Sequence, residues 1–246
     1  MLKFFRKIRL KLLAENRVTR YLAYAIGEIF LVVIGILIAL QVNNWNEERK
    51  TEKAQKSILI SFMEDLKADS LAIKNHVGDL ERILGVHREM HQVRNGHRSL
   101  IDLKNPGLIR GSIRYSSIVL MNNPDFGSKV LNPDIKKEVL NYYQGLSRVK
   151  NSYEQYDNVI KDIVRPYMRE QMLMNEEFYF TEEKLRDGIL SLNIENLAEV
   201  IKREDFSQIL IEANLKAVEL KTNLERILEA NEKLNRSLTD HISGYQ

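Results

Sequence analysis

Glu28 is the residue whose surroundings in the sequence point most clearly to specific chemistry. It is the only acidic or basic side chain in the run YLAYAIGEIFLVVIGILIALQV, which covers residues 21–42. A carboxyl group inside a membrane is costly to leave facing lipid, so such groups are paired, protonated or used to carry ions. Glu28 is therefore a candidate for a proton or ion relay, or for a structural contact with a neighbouring helix.

Residues 21–42 predict one transmembrane helix around Glu28. A helix rises about 1.5 Å per residue, so the run extends about 33 Å, which is enough for the hydrocarbon core of a bilayer. Backbone N–H and C=O groups inside lipid must bond within the segment, and this requires a helix. No small-x-small cleavage site follows the run, so we expect an uncleaved signal anchor.

One face of this predicted helix is suited to packing against another helix. Gly35 and Ala39 fall on the same face as Glu28, and they form a small-xxx-small pair that lets two helix backbones approach closely. We expect a homo-oligomer that forms through this face, or a contact with a different membrane protein. Glu28 would then be protonated or hydrogen-bonded across the contact.

Residues 1–20 form a basic segment that sets the predicted orientation. Their pattern is that of an amphipathic helix lying on the membrane surface against anionic lipid. By the positive-inside rule, the N-terminus should be cytoplasmic and the long C-terminal part should lie outside the cytoplasm. The segment has one acidic residue and seven basic ones, which are Lys3, Arg6, Lys7, Arg9, Lys11, Arg17 and Arg20.

His87 and His91 are the strongest remaining candidates for chemistry, since their spacing in HREMH places two imidazoles on one helix face. Glu89 is at the third position of that motif, so the base of an H-E-x-x-H metalloprotease is misplaced. His97 is nearby, but no third ligand is defined. We therefore predict no metal, no cofactor and no catalytic residue, and the chain is not expected to be an enzyme. Its excess positive charge adjoins a membrane span, so nucleic acid is not an expected partner.

Two long heptad patterns predict the helices of the C-terminal part. The first arm, residues 46–95, has two heptad seams that are apolar except at the serine and the histidines. They are Leu59, Leu66, Ile73, Leu80 and His87, and Met63, Ser70, Val77, Leu84 and His91. In the second arm, residues 205–242, they are Phe206, Ala213, Leu220, Ile227 and Leu234, and Leu210, Ala217, Leu224, Asn231 and Leu238. Asn231 is the only polar residue in the second arm's seams, and a buried Asn can set register. The arms could pair antiparallel within one chain, or they could pair between chains, and we expect the heptad helices to contribute to the homo-oligomer together with the transmembrane helix.

The middle of the chain contains a local repeat that predicts two helix starts. NPDFGSKVL at 123–131 is followed directly by NPDIKKEVL at 132–140, and in each the Asn can cap a helix whose first residue is Pro. The second helix should have a break near Gly145 and a kink or an end at Pro166.

These patterns together predict an all-α protein. Its N-terminal transmembrane helix is followed by an extracytoplasmic antiparallel helical bundle or coiled coil. The predicted parts are a basic cytoplasmic tail at 1–20, a transmembrane helix at 21–42 and a helical bundle at 43–246.

The residues FFRKIRLKLLAEN and YLAYAIGEIFLVVIGILIALQVNNWNEERK also carry a family resemblance. They resemble the opening of an uncharacterised family of single-pass membrane proteins from Bacteroidota, especially marine flavobacteria. The similarity is close over about residues 3–50, and it is looser at NPDIKKEVLNYY. The resemblance implies the inner membrane of a Gram-negative bacterium and hence a periplasmic C-terminal part, and it implies no activity.

The function expected from the sequence is that of a membrane-anchored structural or protein-interaction module. One alternative is a single-span subunit of an ion-driven energy-coupling complex that uses Glu28. A second alternative is a periplasmic bundle that senses a ligand bound between its helices.

Overall fold

The computed structural model describes residues 18–182 and 190–244, and helices account for nearly all of the regular structure there. The helices are α1 (Val18–Arg94), α2 (Ile118–Asn122), α3 (Phe126–Lys129), α4 (Pro133–Asn158), a π turn (Val159–Val164), α5 (Arg165–Glu170), α6 (Glu176–Phe180), α7 (Ile194–Val200) and α8 (Glu204–Ser243). Two short 3-10 turns, Leu100–Asp102 and Pro106–Arg110, follow α1. The predicted all-α fold is therefore confirmed.

The chain divides into two compact units, Met1–Ser57 and Ile58–Gln246. In the first unit, α1 is long and apolar enough to span a membrane near the N-terminus. Its most apolar window has a mean hydropathy of 2.5, and none of that window is buried in the structure. The predicted membrane-surface residues Lys3, Arg6, Lys7, Arg9, Lys11 and Arg17 lie outside the described residues, as does the side chain of Arg20.

The second unit is a bundle built on three long helices, which are α1 from Ile58 onward, α4 and α8. Two ion pairs show the direction of α8 against α1, since Lys221 lies 3.4 Å from Glu81 and Glu232 lies 3.5 Å from Lys74. Residue numbers rise along one helix as they fall along the other. The predicted antiparallel pairing of the two arms is therefore present within one chain.

The buried faces of α1 and α8 follow the heptad patterns closely. The seam of α1 that begins at Leu59 is buried at every position to His87, and both predicted seams of α8 are buried throughout. Each fully buried Leu or Ile contributes about 1.5–3 kcal/mol through removal of apolar surface from water. These three seams contribute about a third of the buried hydrophobic residues of the bundle core.

The second predicted seam of α1 is not the one that the structure buries most deeply. Its apolar members are only partly buried, and His91 at its end is exposed. The deeply buried positions lie one step around the helix, three residues after four of the five members of the first seam, and His76, the position after Ile73, is half-buried. Phe62, Asp69, Ile83 and Met90 are buried there, and Phe62 stacks on Phe126 of α3 with ring centroids 3.7 Å apart. The sequence pattern missed this seam because Asp69 interrupts it.

Only the second copy of the local repeat caps a helix as predicted. The side chain of Asn132 accepts hydrogen bonds from the N–H groups of Asp134 and Ile135, and Pro133 is the first residue of α4. In the first copy, Asn123 does not cap a helix. Instead α3 begins at Phe126 after Asp125, and Asn123 ends α2. The side chain of Asn123 donates to a carboxylate oxygen of Asp65 at 2.6 Å, so a tertiary contact replaces the cap.

Gly145 does not break α4, which runs through it without interruption. A Cβ atom at this position would lie 2.5 Å from Cδ1 of Ile227, so glycine allows α4 and α8 to approach closely.

The helical path also does not end at Pro166, because it passes through the π turn into α5. In the π turn the N–H of Arg165 bonds to the carbonyl of Ile160, and this wider spacing accommodates a proline that would clash with an α-helical carbonyl four residues earlier.

Candidate functional site

The face predicted to pack in the membrane is not covered by the described part of the chain. Gly35 and Ala39 are exposed, and a Cβ atom added to Gly35 would meet nothing within 4 Å. Glu28 is half-buried and interacts within its own chain. The helical spacing therefore leaves the small residues available for close approach by another helix.

Asn231 lies in the centre of the bundle, where it joins the three long helices. Its side-chain amide donates to the carbonyl of Leu66 on α1 at 3.0 Å and to the hydroxyl of Tyr142 on α4 at 2.9 Å. The Tyr142 hydroxyl in turn donates to the carboxylate of Asp69 at 3.2 Å. The polar residue singled out in the heptad pattern is thus part of a buried network, and its role in setting register stays a prediction.

Asp69 is the part of this network that the sequence did not reveal. Its carboxylate is fully buried and accepts hydrogen bonds of 2.6 Å from both the Ser117 hydroxyl and the Ile118 N–H, which is the first N–H of α2. The positive end of a helix favours such a carboxylate. The pKa values of Tyr115 and Tyr142 are raised mainly by burial and, to a smaller extent, by the negative charge of Asp69. Both tyrosines keep their protons at neutral pH, and the hydrogen bonds of Asp69 join α1, α2 and α4.

His87 and His91 do not act as a pair, because only one of them is buried. The ring of His91 faces outward and contacts the amide of Asn95 at 3.0 Å. His87 is 2% exposed, and neither of its ring nitrogens has a hydrogen-bond partner of ordinary geometry. Burial lowers the pKa of His87 to about 4, although nearby Asn214 opposes that shift slightly. His87 is therefore a neutral imidazole at neutral pH.

His87 lines a groove between α1 and α8, which we call the α8 groove. It is a cavity of 310 Å³ bounded by His87, Arg88, His91, Gln92, Leu210, Ile211, Asn214 and Leu215. A second cavity of 520 Å³ shares Arg88 and Asn214 with it and extends to Val218 and Lys221. Ile211, Leu215 and Val218 are 48%, 57% and 44% exposed, so they form an apolar strip along one face of α8.

Within residues 18–182 and 190–244, no three His, Cys, Asp or Glu side chains come together as a metal site. The features that the structure adds are the Asp69 network and the α8 groove. The sequence contains an indication of the Asp69 network, because Asp69 lies three residues after a buried heptad position. The apolar strip beside the α8 groove can be recognised only once the buried seams of α8 are known.

Comparison with known proteins finds similarity to one family model over part of the chain. Searches among curated proteins and solved structures gave no match. The origin in Bacteroidota therefore remains a prediction. Residues 28–110 match the model of a family of unknown function (DUF6090), which confirms the predicted resemblance to an uncharacterised family over that part of the chain.

Proposed function

We propose that this protein is a membrane-anchored, non-catalytic interaction module that self-associates. Residues 21–42 cross the bacterial inner membrane with the N-terminus in the cytoplasm, and the bundle lies in the periplasm. The single observation that supports this proposal best is that apolar surface remains uncovered both in the candidate span and along α8. A reporter fused after Gln246 should be active only outside the cytoplasm, and activity only inside would contradict the orientation.

In the membrane, the contact uses the face of Glu28, Gly35 and Ala39. Lipid tails are as apolar as the side chains of the helix, so association in a bilayer depends on close packing and interhelical hydrogen bonds. Gly35 and Ala39 provide the close approach because neither has a side chain larger than a methyl group. The Glu28 carboxyl group adds a hydrogen bond between the two helices when it is protonated.

Outside the membrane, the contact uses the apolar strip of α8 with a second copy of the same chain. Ile211 precedes Leu215 by four residues and Val218 follows it by three. Both copies are anchored in the membrane in the same direction, so we place the two α8 helices in parallel, with each Ile211, Leu215 and Val218 opposite the same residue of the second copy. The strip is therefore complementary to itself, as a two-fold symmetric contact requires.

Cysteine cross-linking tests this contact cleanly because the chain contains no cysteine. In membrane vesicles treated with an oxidant, a Leu215→Cys variant should form a disulfide-linked dimer. The matched control is Thr239→Cys, which is also exposed on α8. Residue 239 lies about 120° around the helix from residue 215, given 3.6 residues per turn, so its two copies should not cross-link in the proposed pair. Equal cross-linking of both variants, or none at residue 215, would refute the α8 contact.

The membrane contact is tested separately with Ala39→Cys and Leu37→Cys. Both positions are exposed, but Leu37 lies on the opposite side of the helix from Ala39. We expect cross-linking at residue 39 and not at residue 37. The reverse pattern would show that a different face of the span is in contact.

A further inference from the structure

Four basic side chains converge on one cavity that the proposed function does not use. The cavity has a volume of 330 Å³, and we call it the basic pocket. Arg110, Lys161, Arg165 and Arg169 line it together with Pro166, Met168 and Met174, and none of the lining residues in the described part of the chain is acidic. This composition makes the cavity strongly electropositive.

The fold brings these cations together from two places in the sequence. Lys161, Arg165 and Arg169 recur every four residues along the π turn and α5, so they share one side of the helical path. Arg110 ends the second 3-10 turn, and its carbonyl accepts hydrogen bonds from Nε and Nη2 of Arg165 at 3.3 and 3.2 Å. These two bonds hold the Arg165 side chain at the cavity.

Most of the positive charge in the basic pocket is not neutralised by the described part of the chain. Lys161 forms an ion pair with Asp157, which lies one turn earlier in α4. Burial acts to raise the pKa of Asp157, but hydrogen bonds from Lys161 and Ser112 lower it overall, so this carboxylate is charged. Arg110, Arg165 and Arg169 have no ion pair with a described carboxylate, and Nη1 of Arg110 instead lies 3.6 Å from the sulfur of Met174. Three guanidinium groups facing one cavity repel each other unless an anion lies between them.

We infer that the basic pocket binds the phosphate group of a phosphorylated small molecule or lipid headgroup. A guanidinium group presents a planar fork of donors that matches the oxygens of phosphate, and several forks around one cavity can engage several oxygens. A volume of 330 Å³ falls within the range of about 300–1,000 Å³ typical of ligand pockets, and it exceeds what a single ion needs. This inference does not depend on self-association.

The test uses the full-length protein in dodecyl maltoside, a detergent that contains no phosphate. Isothermal titration calorimetry with inorganic phosphate and with pyrophosphate measures binding of the free anion. Mixed micelles containing phosphatidic acid, compared with micelles lacking it, measure binding of the lipid headgroup. Affinity in either arm supports the pocket, and the comparison between the arms identifies the source of the phosphate.

The variant that decides the question is Arg169→Gln, because Arg169 is exposed and its replacement should leave the fold intact. We expect it to weaken binding about tenfold, which is the loss typical of one charge-assisted interaction. Arg110→Gln should have a similar effect. Arg226→Gln removes the same charge from the exposed face of α8 and should leave affinity unchanged.

Three results would overturn the inference. One is no binding of phosphate, pyrophosphate or phosphatidic acid at millimolar concentration. Another is an equal loss of affinity in Arg169→Gln and Arg226→Gln, which would indicate attraction to overall positive charge only. The third is unchanged affinity in both pocket variants while circular dichroism shows that each is folded.

Discussion

Lowering the pH should destabilise the bundle through His87 in particular. The imidazole is buried and its pKa is lowered from 6.5 to about 4, mainly by desolvation. The unfolded chain therefore takes up a proton near pH 6.5, whereas the folded chain does so only near pH 4. The neutral imidazole makes its full contribution to the free energy of unfolding above pH 6.5. That contribution is lost as the pH falls toward 4, and it changes little below pH 4.

The size of this effect follows from the separation of the two pKa values. At about 1.4 kcal/mol for each pH unit, the interval from 6.5 to about 4 corresponds to a loss of about 3 kcal/mol. That is a large fraction of the stability of an ordinary domain. The other groups that line the α8 groove are Arg88, His91, Gln92 and Asn214, and none of them is acidic. No carboxylate among these groups is placed to favour the charged imidazole.

The measurement is urea unfolding of the full-length protein in dodecyl maltoside at pH 7.5 and pH 4.5. The near-ultraviolet circular dichroism of buried tyrosines such as Tyr142 reports on the bundle. Wild type and His87→Gln are compared, so the contributions of carboxylates cancel. We expect the variant to lose about 2.5 kcal/mol less between the two pH values than wild type does, because pH 4.5 is still above the folded pKa. His91→Gln, which alters an exposed imidazole, should behave as wild type. Equal pH dependence in wild type and His87→Gln would refute the reasoning.

Substitutions at three further residues test the buried network and the membrane face. Asp69→Ala should lower the free energy of unfolding in urea by about 3 kcal/mol, because it leaves buried donors, including the Tyr142 hydroxyl, without their charged acceptor. A loss below about 1 kcal/mol would show that the network is not tightly formed. Asn231→Ala should cost about 2 kcal/mol in the same assay, because the Leu66 carbonyl loses its side-chain donor; an unchanged midpoint would contradict this. Glu28→Gln should assemble as wild type in native gels while Glu28→Leu loses assembly, because Gln keeps a hydrogen bond and cannot titrate. Loss of function in Glu28→Gln with assembly intact would instead favour the ion-coupled alternative.

The long helices could be predicted from the sequence because their burial repeats regularly. The apolar residues of α8 recur at heptad spacing over its whole length, so periodicity alone identifies the buried face. The same reasoning identified only one of the two buried seams of α1. Asp69 lies in the other seam, and a pattern that counts apolar residues cannot recognise a carboxylate that is buried because Ser117 and Ile118 donate to it.

The candidate sites were harder to predict because they depend on how distant segments meet. The basic pocket joins Arg110 to three residues about fifty positions later, and nothing in the spacing of either segment indicates that contact. Asn123 and Asn132 open the same local motif, yet only Asn132 caps a helix, because the first Asn is held by Asp65 of α1. Tertiary contacts override local preference at such positions.

Self-association is the central claim of this account, and counting subunits in native lipid tests it most directly. The full-length protein, fused to one fluorophore per chain, is extracted with its own lipids into polymer-bounded discs. Photobleaching steps are then counted in single discs at a dilution where chance co-occupancy is rare. We predict that most discs contain two or more copies, and that Leu215→Asp and Ala39→Leu each shift the distribution toward one. A distribution of single copies for the wild-type protein would contradict the claim.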